Sequence, residues 1–296
     1  MSTLKQLILM AVLLSLTACS GVADVLATPT PIPPTLTPAP PTATPLPMAL
    51  AVNGEAITLD EFNAELARYQ ASQTALGKPV TDQQAAAGLV TDEFVSQLLL
   101  AQGAKEAGFT LDEAALQARI DALAAKLGGA DKLSAWQQAH GYTAESFRVA
   151  LRREAAAAWM RDKIISSVPN TAEQVHIRQI LLYNQADAQK YWDRLQAGAK
   201  FDTIAAQIDP VTRGDIGWIP RGYLSEKPIE DAAFALEPNK YSAVIQDKVG
   251  FHILELIERQ PSRPLSPDQT LTLQTHALDE WIANRRQQSS IVLAPK

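Results

Sequence analysis

Residues 27–47 read ATPTPIPPTLTPAPPTATPLP, and no packed fold can be built through them. Proline lacks the amide hydrogen that helices and strand ladders require, and the segment has almost no apolar surface to bury. Such a tract favours extended polyproline II at about 3.1 Å per residue, so about twenty residues reach about 60 Å. It divides the 296-residue chain into a short head and a body that begins at residue 48. The body has room for two domains of about 100–200 residues each.

The head has a positive residue, Lys5, then an apolar stretch from Leu7 to Leu16 that is too short for a membrane span. It ends in Leu16-Thr17-Ala18-Cys19, which resembles the lipobox of bacterial lipoproteins. That resemblance implies a signal peptide over 1–18, a diacylglyceryl group on the Cys19 thiol, and a tether over 19–47. More than one acyl chain gives stable anchoring where one is marginal. The alternative is an ordinary secretory signal with an incidental cysteine. Cys19 is the only cysteine, so no internal disulfide can form. No other stretch reads as a span, and the expectation is a soluble body on a lipid tether. The net charge of −6, with no Lys/Arg run longer than a pair, argues against nucleic acid as a partner.

Residues 48–168 read as helical after an opening hairpin. Asn53-Gly54 between apolar flanks is a two-residue turn signal. Thr58 and Glu61 form a capping-box pattern before a helix with Phe62, Leu66 and Tyr69 on one face. Further helices are predicted from about Asp92 to Ala107, from a Thr110/Glu113 cap to Gly128, to near His140, and from Thr143 to Val168. Their faces are apolar and show no titratable cluster, so the region reads as scaffold or as a binding cradle.

The pattern changes over 169–261. Residues 175–183 alternate as a strand; 186–198 and 200–207 read as helices. A Gly/Pro-rich loop follows over 209–222, then a helix at Ile229–Leu236 and strands at Ala243–Gln246 and Phe251–Ile257. This mixture predicts a compact α+β domain. Residues 262–296 form a C-terminal helix, with Ser266, Pro267 and Gln269 as its start signal. A lone amphipathic helix is marginal in water. It is therefore expected to pack back on the N-terminal helices, with the α+β domain inserted between.

The motifs HIRQILL (176–182), FDTIAAQ (201–207), GDIGW (214–218), PRGYL (220–224), EDAAFAL (230–236) and GFHILEL (250–256) stand in one order across residues 175–258. Together they resemble the parvulin (PpiC) family of peptidyl-prolyl cis-trans isomerases. The flanking helices, through VNGEAITLDEF, resemble the exported foldases of the PrsA/SurA type. The resemblance implies isomerisation of X-Pro bonds in unfolded exported polypeptides, outside the cytoplasm and at a membrane. The barrier to that rotation is about 18–20 kcal/mol. No bond breaks, so no cofactor or metal is needed, and binding the twisted amide best is sufficient.

By resemblance, Asp209 stands at the family's Asp/Cys position, His252 is the second histidine, and Gln179 replaces the first. Asp247 replaces a threonine and reads as solvated at a turn. Ile216, Ile219, Leu224 and Ile229 are the substrate-pocket positions. His176 lies an odd number of residues from Gln179, so strand alternation turns it to the opposite face. His140 and His276 lie on helices without evident partners. Two other functions stay open. One is a chaperone whose isomerase domain is catalytically inactive; the other is a surface adhesin using Arg213-Gly214-Asp215. The second has a simpler source, because Arg213 stands where the family's turn has glycine.

Overall fold

The computed structural model describes residues 47–294; the signal peptide, Cys19 and nearly all of the tether lie outside the described residues. β1 (Met48–Val52) and β2 (Glu55–Thr58) form the opening hairpin, with Asn53 and Gly54 at φ 53° and 85° in its turn. The far end of the chain closes this sheet. β8 (Ile291–Leu293) pairs antiparallel with β1, giving the order β2-β1-β8. The residues expected to be helical to the end thus contain a strand, and the Asn53 side-chain oxygen accepts from the Ser290 amide beside it.

Five helices follow the hairpin: α1 (Leu59–Ala75), α2 (Gln83–Glu106), α3 (Glu113–Leu127), α4 (Ala130–Ala139) and α5 (Ala144–Ile165). Three helix starts differ from expectation, that of α2 lying at Gln83 instead of about Asp92. Thr58 accepts from the Glu61 amide, but the Glu61 carboxylate pairs with Arg153, so the α1 box is half made. Asp112, not Thr110, caps α3 by accepting from the Ala115 amide at 2.7 Å. α2 begins at Gln83 because Asp82 caps an alanine-rich first turn that lacks the large apolar residues of a recognisable stripe.

The helical core contains Leu50, Val52, Ile57, Phe94, Leu98 and Leu99, and continues through Ala104, Ala156 and Met160. Each fully buried Leu contributes about 1.5–3 kcal/mol. The expectation that these helices lack a titratable cluster is wrong. Arg153, buried on α5, bonds Gln97 and Glu61 and lies 5.5 Å from the Phe94 ring centroid. Glu154 bonds Gln97 nearby. The cluster as a whole draws on three helices, so no local spacing reveals it.

The inserted domain is a five-stranded sheet of order β4-β3-β7-β5, with β6 also pairing with β7. Its strands are β3 (Thr171–Leu182), β4 (Asp215–Pro220), β5 (Lys240–Tyr241), β6 (Ile245–Gln246) and β7 (Phe251–Pro264); its helices are α6 (Gln185–Gln196), α7 (Phe201–Ile208) and α8 (Lys227–Ala235). Strand alternation gives the sheet two apolar faces. Val175, Ile177, Leu254 and Leu256 pack on Ile229, Ala233 and Phe234 of α8. Ile180, Leu182 and Ile253 pack on α6 and α7 through Ala188, Leu195, Phe201 and Ile204. β4 falls inside the segment read as a loop. It is a short edge strand with Gly217 within it and Pro220 at its end, the composition that an edge tolerates.

α9 (Pro267–Gln287) packs back on the helical part, as expected, and the α+β domain is inserted before it. Trp281 and Ile282 enter the helical core, and Arg286 pairs with Asp92 at 2.6 Å. The first half of α9 also grips the inserted domain. Gln269, buried, donates to the Trp218 carbonyl at 2.7 Å, and Tyr223 donates to Asp268 at 2.6 Å. His276, expected to lack partners, lies with Nδ1 2.6 Å from the Gly222 carbonyl oxygen. Among the described residues no helix is long and apolar enough to cross a membrane.

Candidate active site

Gln179 on β3 and His252 on β7 face the α8 side of the sheet. His252 stands opposite Leu181 and Gln179 opposite Leu254, so the two side chains meet on the diagonal. His252 Nδ1 lies 3.1 Å from Gln179 Oε1, and the histidine is buried.

The β6–β7 turn completes the group. The Asp247 carboxylate accepts from the Val249 amide at 2.7 Å and the Gly250 amide at 2.9 Å. This places its Oδ1 3.0 Å from His252 Nε2, a close contact off the line of a straight hydrogen bond. The expectation of a solvated Asp247 is therefore corrected: it lies at a turn, but its side chain is only 4% exposed. Burial pushes the carboxyl upward, but the Gly250 amide, the His252 ring and the Val249 amide outweigh it. The net direction is below the usual carboxylate range.

Asp209 is not joined to this group by a hydrogen bond. Its carboxylate closes its own turn, accepting from the Val211 and Thr212 amides at 3.0 and 3.1 Å and from the Thr212 hydroxyl. The Thr212 hydroxyl and amide are the main causes holding its pKa down. Asp209 and Gln179 do line one cavity of about 280 Å³, with Leu181, Tyr183, Ile208 and Thr212.

All four pocket positions lie in the α8-side cluster. Ile219 and Ile229 are sealed into it, at 0% and 5% exposure, because β4 and α8 turn them to the core. Of the four, only Ile216 and Leu224 keep partial exposure. Sequence reasoning missed the residue that places Leu224. The buried Glu230 carboxylate accepts from the amides of Gly222, Tyr223 and Leu224 at 2.8, 3.1 and 3.3 Å. Its signal was the EDAAFAL motif, read there only as a landmark.

His176 is turned away from Gln179. It contacts Asp215 Oδ1 at 2.8 Å and stacks on Trp218 with centroids 5.4 Å apart. Asp215 also accepts from the Gly217 amide at 2.9 Å. Arg213 adopts φ 57°, the left-handed conformation that explains a glycine at this place in related turns, and lies 3.4 Å from Asp202. The tripeptide is thus built into the strand β4 entry rather than displayed on a free loop. Among the described residues no three His, Cys, Asp or Glu side chains converge as metal ligands.

Residues 164–258 match the PPIC-type PPIASE domain, the rotamase family, so the sheet and its Gln179–His252 pair lie in a parvulin-type peptidyl-prolyl isomerase domain. Residues 47–141 match the SurA-like N-terminal domain, and the chain joins these two domains in one polypeptide. It is 33% identical over 107 residues to the chaperone SurA of Nitrosospira multiformis, covering 32% of this chain and 24% of that protein. It is 24% identical over 261 residues to the chaperone SurA of a Polaromonas species, covering 76% and 54%. It is also 22% identical over 215 residues to the foldase protein PrsA of Clostridium kluyveri, covering 60% and 62%. The chain thus spans less than two thirds of the length of each of these relatives.

Proposed function

We propose that this protein is an extracytoplasmic peptidyl-prolyl cis-trans isomerase and foldase, tethered to a bacterial membrane through lipid on Cys19. Its clients are unfolded or partly folded exported polypeptides with X-Pro bonds. The observation that carries this reading is the buried Gln179–His252 contact on the α8 face of a parvulin-type sheet, beside a cavity of about 280 Å³. The helical part supplies a cradle for extended clients, in keeping with relatives named as chaperone and foldase. No cofactor enters, because the enzyme need only bind the twisted amide better than either planar form.

A protease-coupled isomerisation assay on prolyl tetrapeptides tests the catalytic reading. The expected result is acceleration over the uncatalysed rate; a rate equal to it removes the enzyme. The second reading, a chaperone with an inactive isomerase domain, is favoured by the sealing of Ile219 and Ile229 and by glutamine at position 179. Suppressed aggregation of a proline-free client, without isomerisation, supports it. The tether is tested by Cys19→Ser, which is expected to move the protein from the membrane fraction to the soluble one. The adhesin reading has little geometric support, since Asp215 is engaged by His176 and Gly217. Unchanged cell binding by Asp215→Glu removes it.

A further inference from the structure

The surroundings of His252 decide its protonation and, through it, the polarity of the site. Nδ1 faces Gln179 Oε1 at 3.1 Å, and Nε2 faces Asp247 Oδ1 at 3.0 Å. An amide oxygen and an ionised carboxylate oxygen only accept hydrogen bonds. A neutral imidazole carries one ring proton, so its other nitrogen would hold an unprotonated lone pair within about 3 Å of an oxygen. A ring protonated on both nitrogens donates from Nδ1 to Gln179 and sets its Nε2 proton beside the Asp247 carboxylate, off the line of a straight hydrogen bond but close enough for Asp247 to supply the balancing charge. The two side chains are 8% and 4% exposed, so little water screens the pair.

Among the described residues, Asp247 is the one carboxylate within ion-pair distance of the ring. The adjacent Lys248 is drawn to Glu226 at 2.5 Å. On β3 the facing group is the neutral Gln179 carboxamide. With its oxygen engaged by His252, that carboxamide keeps an NH2 end, without a hydrogen-bond partner among the described residues, for the cavity it lines.

We propose that Asp247 is a positioning residue: it keeps His252 doubly protonated, His252 holds the oxygen of Gln179, and the Gln179 NH2 is presented to the cavity as a donor. This rests on the isomerase reading. The recipient is the prolyl nitrogen of the client, whose lone pair leaves amide resonance as the bond twists. A donor there stabilises the twisted form over both planar ones. Glutamine at 179 and aspartate at 247 are then one compensated arrangement. A threonine at 247 would bring no charge to keep the ring protonated.

The test uses the full chain labelled with 15N-histidine, read by long-range 1H–15N correlation at pH 7. The four histidines are assigned by single substitution. His252 is expected to show two protonated ring nitrogens in the wild type and one in Asp247→Asn. The same variant should lose kcat roughly tenfold, the worth of one misdirected hydrogen bond, with KM little changed. Asp247→Glu, which keeps the charge, should recover the doubly protonated signature and part of kcat. The other three histidine signals report whether each variant is folded. An active wild type with one unprotonated His252 nitrogen, or a ring unchanged in Asp247→Asn, overturns the positioning role. A doubly protonated ring in a chain without isomerase activity overturns instead the isomerase reading and, with it, the donor role.

Discussion

Gly214 and Gln179 are joined backbone to backbone. The Gln179 amide donates to the Gly214 carbonyl at 2.8 Å, and a Cβ on Gly214 would stand 2.0 Å from the Gln179 carbonyl oxygen. The entry to β4 is thus pressed against the strand that carries the site.

Gly214→Ala should therefore disturb both fold and site. The glycine has φ 72°, and the added methyl group meets backbone that cannot swing aside. A loss of about 2–3 kcal/mol is expected from the strain. Urea unfolding should show a lower midpoint, and isomerisation should fall along with it. Arg213→Gly next door relieves a left-handed side chain and should leave the midpoint nearly unchanged.

Arg153→Ala should destabilise the helical part. It removes a buried cation bonded to Gln97 and Glu61 and leaves the Glu61 carboxylate without its partner. Breaking one side of a buried pair costs about 3 kcal/mol. Hydrogen exchange should quicken in α1 and α5 while the inserted sheet keeps its protection.

Glu154 carries a pH signature of opposite sign to the site carboxylates. Protein packed around its carboxyl raises its pKa, and the Glu93 charge adds to this against Arg153. A raised carboxyl contributes stability that is present below its unfolded pKa and lost as pH rises through the folded one. Glu154→Gln should thus be slightly more stable than wild type at neutral pH, and the gap should close in acid. The effect is small because the side chain keeps solvent exposure. Tm measured against pH for the two proteins checks it. Asp247, held low, behaves conversely: its contribution is present above its unfolded pKa and lost as pH falls through the folded one.

Gly103→Ala should loosen α9. A Cβ on Gly103 would come 2.7 Å from the Trp281 ring, which is wedged between α2 and α5. Overpacking of this kind costs about 1–3 kcal/mol. Trp281 fluorescence should shift to the red, and the Arg286–Asp92 pair should be lost with it.

The sequence announces this fold wherever signals are local. Asn53-Gly54, the Ser266-Pro267-Gln269 start and the ordered motifs from His176 to Leu256 each describe a turn, a cap or a strand within a few residues. It is silent where neighbours are distant. β4 looks like a loop because Gly214, Gly217 and Pro220 mask an edge strand. β8 is three residues long and is a strand only because β1 waits for it. At the site, the pairing of Gln179 with His252 follows from aligned motifs, but the burial of Asp247 depends on how the β6–β7 turn folds over the ring. Arg153 draws its partners from α1 and α2, where no spacing rule reaches.

The closing of the first sheet by β8 has a consequence for the order in which the molecule forms. The inserted sheet draws all its strands from one continuous run, Thr171–Pro264. The helical part does not: β1 lacks one neighbour, and Trp281 and Ile282 are missing from its core, until the last stretch of chain arrives. In a chain delivered from its N-terminus, the segment that starts first is thus completed last. The isomerase-type domain reaches its finished shape while the surface that flanks it is still open.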